Sequence, residues 1–176
     1  MITNYALTIP TIETERLVLR GWKEADAAGY AELYGDEDNA KFIGGVMASW
    51  DAWRMVAQRI GQWHLRGFAM FAVEHKESGQ FIGHAGPNFP EGWPEREIGW
   101  GLIKRFQGKG YASEAARASL RFAYEVLGWR TAIASSTPTI LLLASSPSAL
   151  APPLSAPRRS PVSPPISIDT FRLPNS

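Results

Sequence analysis

One stretch narrows the possible folds more than any other: "EIGWGLIKRFQGKGYASEAARASLRFAYEVLGWRTAIAS", residues 97–135. It opens with an apolar segment of strand length and passes through a loop holding Gly108 and Gly110. A strongly amphipathic helical pattern continues to Gly128, and then a further strand-like run. A strand, a glycine loop and a helix start are a physical recipe for holding an anion. The first N–H groups of a helix lack intrahelical partners, and the macrodipole places partial positive charge there. Glycine lets the backbone approach a phosphate with no Cβ in the way, and Lys109 adds a compact cation. Tight packing is the plainer account of such a turn taken alone. The loop is neither a P-loop nor a dinucleotide fingerprint, because "GKGY" lacks the four-residue spacer and "YAS" comes after Gly110 where x-x-Gly would be needed.

The residues before it supply a sheet. "IETERLVLRGW" alternates around Leu17 and Leu19 as a half-buried strand, and "KEADAAGYAELYG" reads as a helix with Ala25, Ala28, Tyr30 and Leu33 on one face. A longer helix over residues 49–66 places Trp50, Trp53, Val56, Ile60 and Trp63 at near-helical spacing, read as core, and ends at Gly67. "FAMFAVEHK" and "QFIGHAG" form a hairpin through "ESG", and "NFPEGWPE" is a Pro/Gly-rich loop. The order β-α-α-β-β-β-α-β defines an α+β fold, one sheet with helices against it.

All seven tryptophans and all sixteen glycines of the 176-residue chain lie at or before Trp129. From Ser135 onward come nine of the thirteen prolines, ten serines, one aromatic and four charged residues. Such a tail cannot offset its ordering entropy by apolar burial, and its prolines exclude helices and central strands, so it reads as disordered. "TILLLA" is too short to span a bilayer. The expected organisation is an N-terminal extension over 1–11, a domain over 12–135 and a tail over 136–176. Net charge is +1 and cysteine is absent. No global charge recruits nucleic acid or a membrane surface, disulfides and thiolate chemistry are excluded, and a reducing cytosol is the natural setting. The N-terminus shows no export-signal pattern, so a cytoplasmic protein is expected.

"QGKGYA" resembles the Q/R-x-x-G-x-G/A acetyl-CoA loop of the GNAT N-acetyltransferases, with Gln107, Gly110 and Ala112 in the signature positions. With "IETERLVLR", "FIGHAG" and "EIGWGLIKRF" it is similar to the ribosomal-protein alanine acetyltransferase (RimJ/RimL) branch, over residues 12–135. The resemblance implies a mixed central sheet with flanking helices, and a central strand splayed from its neighbour with acetyl-CoA in the gap. On that model the backbone of Leu102, Ile103 and Lys104 pairs with the pantetheine amides. The amides of Gln107, Gly108, Lys109, Gly110, Tyr111 and Ala112 cradle the pyrophosphate. A primary amine, on a protein N-terminus or a small molecule, attacks the thioester directly with backbone N–H groups polarising its carbonyl. No metal is implied, and the protein acts as a monomer or homodimer.

An amine nucleophile must lose a proton. Glu97 is the leading candidate to take it, because it begins the cofactor strand; the plainer reading is a solvated strand-end carboxylate grouped with Glu95 and Arg96. His84 lies on the adjacent strand, where a packing role is the simpler one, and His64 and His75 read as surface residues. Trp93, in the Pro/Gly loop, is a candidate for lining a substrate cleft. Lys104, Arg105 and Lys109 suit phosphates or a solvated rim, and "KEADAAG" reads as a solvated face.

Members of the resembled family continue with D-P-x-N-x-x-S and a helix ending in E-R/K-L-G, which helps hold the CoA arm, and many place a general-acid tyrosine in or after it. Here "STPTILLLASSPSALAPP" stands instead, and no tyrosine occurs after Tyr124. The genetic code connects the two. In the frame one nucleotide earlier, each hidden codon ends in the first two bases of a visible codon. Residues 136–140, encoded TCG-ACC-CCG-ACA-AT, then yield I-D-P-D-N. Leu142 and Leu143 permit serine three places later, and residues 144–152 permit I-V-A-E-R-L-G-A. The chain from Ser135 is accordingly read as a frameshift product that lacks the closing half of its cofactor site. Such a product would be marginally stable and impaired in binding acetyl-CoA.

Overall fold

The structure, a computed structural model, describes residues 8–37, 45–136, 139–143 and 166–167. Its strands are β1 (Ile12–Glu13), β2 (Leu17–Arg20), β3 (Phe71–His75), β4 (Gln80–Asn88), β5 (Glu97–Leu102), β6 (Ala132–Ser136), β7 (Thr139–Leu143) and β8 (Ile166–Ser167). The helices whose residues are described are α1 (Asp26–Gly35), α2 (Ser49–Arg66) and α3 (Tyr111–Glu125), with a 3-10 turn at Lys104–Phe106. The strands form one mixed sheet in the order β7-β6-β5-β4-β3-β2-β1-β8. Its pairs are antiparallel except β5–β6 and β1–β8. The α+β expectation holds, and α3 is the crossover that makes β5 and β6 parallel.

The alternation read in "RLVLR" is real: Leu17 and Leu19 are fully buried. In β3 and β4 burial is continuous over Phe71, Ala72 and Val73 and from Ile82 to Asn88, as for central strands covered on both faces. The core joins these strands to Tyr30 and Leu33 of α1, Val56 and Trp63 of α2, and Ala115 and Phe122 of α3.

Two helical faces differ from expectation. In α2 the buried residues are Ala52, Val56, Arg59, Gln62 and Trp63, whereas Trp50 and Trp53 are 62% and 52% exposed. The spacing 52-56-59-63 makes the continuous stripe, and the tryptophans lie off it, so aromatic content misled where periodicity decides. In α1, Ala25 and Ala28 are exposed, while Asp26, read as solvated, is buried. Its carboxylate accepts Arg20 Nη1 and Nη2 at 2.8 and 2.9 Å and the Lys23 amide at 2.8 Å. An acid in the first turn gains from the helix dipole, and Arg20 supplies its counter-charge.

Two parts of the proline- and serine-rich segment are described, 139–143 and 166–167, and both are edge strands. "TILLL" carries no proline and pairs along β6, which itself crosses the boundary expected at 135. The rest of that segment lies outside the described residues. No helix among the described residues is long and apolar enough to cross a membrane.

Candidate functional site

β5 pairs along its whole length with β4, from Glu97 to Leu102; with β6 the pairs among the described residues are Glu97, Ile98 and Gly99, opposite Ile133, Ala134 and Ser135, and β6 ends at Ser136. The splay that the family resemblance implies would lie beyond these pairs and falls on residues outside the described ones. The same end of β5 leads toward the glycine loop.

The Ile103 amide donates to Ile82 O at 2.9 Å, and the turn Lys104–Phe106 comes next, closed by the Phe106 amide on Ile103 O at 2.8 Å. Gln107 bolts the loop to the strand end: its amide donates to Lys104 O at 3.1 Å and its Nε2 to Leu102 O at 2.8 Å. Leu102 and Ile103 of the expected pantetheine strip therefore already carry intramolecular bonds. Gly108 and Gly110 adopt φ of 72° and 82°, the left-handed region that a side chain disfavours by about 1–2 kcal/mol. Gly110 is the N-cap of α3, and no side chain among the described residues caps the helix. The first-turn amides thus face out of the loop with the positive end of the dipole behind them. The residues present fit a pyrophosphate-sized anion.

β1, β2 and the turn between them hold this helix start in place. Glu114 of α3 accepts the Thr14 hydroxyl at 2.5 Å, the Arg16 amide at 2.9 Å and Arg16 Nε at 2.7 Å. Arg16 also donates to Lys109 O at 3.0 Å and lies over the Tyr111 ring at 4.6 Å. Burial works to raise the Glu114 carboxyl; the bonds from Thr14 and Arg16 and the Arg16 charge outweigh it and hold it below its ordinary range. His75, read as a surface residue, is half-buried and bridges Tyr111 Oη and Ser78 Oγ, each at 3.0 Å. Of the three basic residues, Lys104 pairs with Asp36 at 3.2 Å and Arg105 with Glu32, both toward α1. Lys109 stays at the loop, over the Phe106 ring at 5.6 Å.

At the other end of β5, Glu97 is not a solvated strand-end group. It is 6% exposed, and its Oε2 accepts Trp93 Nε1 at 2.7 Å and Asn88 Nδ2 at 3.2 Å. Its Oε1 lies along β5 over Gly99, only 3.3 Å from where a Cβ there would stand. The carboxylate thus points along β5 toward its C-terminal half. Trp93, flagged by its loop position, shields it. Behind Asn88 stands Arg59 of α2, whose Nη1 donates to Asn88 Oδ1 at 3.0 Å. His84 is buried against Tyr30 and Tyr34, ring centroids 5.4 and 6.2 Å away. Burial, with the Arg59 charge, pushes its pKa down to about 3, so the imidazole is neutral. Neither Arg59, Gln62 nor Asn88 was singled out from sequence. The available signal was two long polar side chains, Arg59 and Gln62, on the buried stripe of α2. Among the described residues no three metal-ligating side chains converge.

A mixed sheet whose parallel pair β5–β6 is connected through a glycine loop and an uncapped helix start matches an acyl-CoA-dependent acyltransferase architecture. The comparisons with known proteins agree. The acetyltransferase (GNAT) domain family matches residues 16–139, and the chain belongs to that family. It is 31% identical to the uncharacterized N-acetyltransferase YnaD of Bacillus subtilis over 128 residues, 72% of this chain and 73% of YnaD. An acetyltransferase of Agrobacterium tumefaciens superposes with a TM-score of 0.68 at 32% identity, covering 78% of this chain and 80% of that one. Structures of RimL, a ribosomal L7/L12 N-acetyltransferase, share the fold at 20% identity; the form in complex with coenzyme A has a TM-score of 0.58, covering 70% of this chain and 73% of that one. The chain spans 66 to 79% of the length of the curated relatives it matches.

Proposed function

We propose that the chain transfers an acetyl group from acetyl-CoA to a primary amine, with Glu97 accepting the proton. The observation that carries this is β5 itself. Its C-terminal end leads through the 3-10 turn into the positive-φ glycine loop, and the buried Glu97 carboxylate at its start reaches along the same strand over Gly99. Bound acetyl-CoA supplies an activated thioester. The Gln107–Ala112 backbone holds its pyrophosphate, and the backbone of Leu102, Ile103 and Lys104 at the end of β5 aligns the arm. Glu97, with Trp93 and Asn88 fixing one oxygen, takes the amine proton through the other, directly or through water. The acceptor is a protein N-terminus or a small amine, and the RimL likeness favours neither.

Release of CoA thiol across a panel of amines tests this, and the chain's lack of cysteine leaves no protein thiol to interfere. Glu97→Gln should lower kcat about 10²-fold or more while leaving acetyl-CoA binding by calorimetry unchanged. Failure of every amine to release thiol, from protein that binds acetyl-CoA, would overturn the reading.

A second reading rests on the tail. The residues after Ser136 carry no D-P-x-N-x-x-S segment in this frame and, with the codons given above, permit one in the adjacent frame. On that reading the chain is a frameshifted product with an impaired acetyl-CoA site. Resequencing the gene decides it: an intact frame across codons 133–137, using codons that cannot encode the hidden segment, would sink the idea.

A further inference from the structure

The polar cluster behind Glu97 contains a cation without an anion. Arg59 is 8% exposed, and its Nη1 bonds to Asn88 Oδ1 at 3.0 Å and to Gln62 Oε1 at 3.4 Å. Both partners are neutral amides. No carboxylate among the described residues forms an ion pair with Arg59. Three buried nitrogens have no hydrogen-bond partner among the described residues: Arg59 Nε, Gln62 Nε2 and His84 Nδ1. They belong to one cluster, since Arg59 bonds both Gln62 and Asn88, and His84 lies four residues before Asn88 on β4.

A guanidinium buried among neutral groups, with one edge unbonded, is destabilising unless an anion completes it. The neighbours offer that anion neutral donors. Gln62 Nε2 can only donate, and the neutral imidazole can present Nδ1–H. The cluster also has a direction. Asn88 accepts from Arg59 through Oδ1 and donates to Glu97 through Nδ2, so cation and carboxylate stand one asparagine side chain apart. A zwitterion matches that pair, ammonium toward Glu97 and anion toward Arg59. The planar guanidinium fork, with one amide beside it, suits a carboxylate.

We propose that Arg59, with Gln62 and His84, is a receptor for a carboxylate on the acceptor, so that the preferred substrate is a small amino acid-like amine. This rests on the acetyl-transfer reading for its chemistry, but binding tests it separately. The full chain is titrated calorimetrically with N-acetyl amino acids and with the matching N-acetyl amino amides, which differ only in the carboxylate. The acids should bind about 10-fold tighter or more, the scale of one lost charged hydrogen-bond pair. Arg59→Met should remove the difference, and Arg59→Lys should keep part of it. Without ligand, Arg59→Met should melt at or above the parent temperature, whereas a purely structural arginine would lower it. Equal affinity for acid and amide overturns the receptor even where amines are acetylated. Tighter binding of the corresponding N-acetyl aminophosphonates overturns the carboxylate assignment. An acid preference that Arg59→Met abolishes, in a protein that acetylates no amine, keeps the receptor and overturns the acetyl-transfer reading.

Discussion

Glu97 is held through one oxygen, and the residues around its carboxylate come from three different places in the chain. Trp93 precedes it in the Pro/Gly loop, Asn88 ends β4, and Gly99 two residues on leaves room for Oε1. Trp93→Phe keeps the aromatic cover and removes the 2.7 Å bond. It should lower kcat about 10-fold with little change in the acetyl-CoA KM, read by steady-state kinetics. His84 carries a pH signature of the same cluster. Its folded pKa of about 3 lies below the ordinary 6.5, so on acidification the unfolded chain binds a proton first. Stability should therefore be full above pH 6.5 and fall progressively toward pH 3, by up to about 1.4 kcal/mol per pH unit. Melts across that range should show a shallower slope for His84→Phe. At this scale legibility was uneven. Glu97 and Trp93 could be singled out by position along the chain, because strand starts and loop aromatics are local features. The Arg59–Asn88 contact could not, since it joins residues 29 apart through packing alone.

At the level of elements, the glycine loop and α3 are tied together by the turn between β1 and β2, whose Thr14 and Arg16 hold Glu114 and the Lys109 carbonyl. Glu114→Gln should cost about 1–2 kcal/mol at neutral pH, the scale of charge-assisted bonds discounted for the exposed Arg16. The folded carboxyl titrates below its ordinary 4.5, so this contribution is complete above that pH and disappears as the pH falls through the folded value. The gap between parent and variant melting temperatures should accordingly close in acid. Gly110→Ala should cost about 1–2 kcal/mol for its left-handed φ and weaken acetyl-CoA binding in the same calorimetric trace. Element type and order were readable from period and punctuation, and the loop from its glycines. The buried face of α2 was not. Trp50 and Trp53 promised a core contact, but a helix buries whichever stripe is continuous, and here that stripe includes an arginine and a glutamine.

For the whole molecule, the sheet sets how much of the cofactor site one chain can complete. On the proposed reading β5 and the loop supply one wall, and the parallel pairing with β6 covers three positions among the described residues. On the family resemblance the opposite wall comes from the segment after β6, and suitable codons for the present residues would encode its D-P-x-N-x-x-S and E-R-L-G pieces in the adjacent frame. A composition break locates such a junction because packing leaves a mark on sequence. Residues 12–133 carry the tryptophans, the glycines and the periodic patterns, while the residues beyond carry prolines and serines without period. The exception is "TILLL", short and free of proline, which pairs as β7 on the sheet edge where proline-rich neighbours do least harm. A chain rebuilt in the adjacent frame from codon 136 should restore a second wall to the gap. It should bind acetyl-CoA at least about 10-fold tighter than the present chain, equivalent to about 1.4 kcal/mol. Ligand binding to the folded state alone should also raise its melting temperature more at equal acetyl-CoA concentration. Equal affinity and equal thermal response in the two chains would show that β5, the loop and α3 hold the cofactor unaided, and that the missing segment contributes nothing to binding.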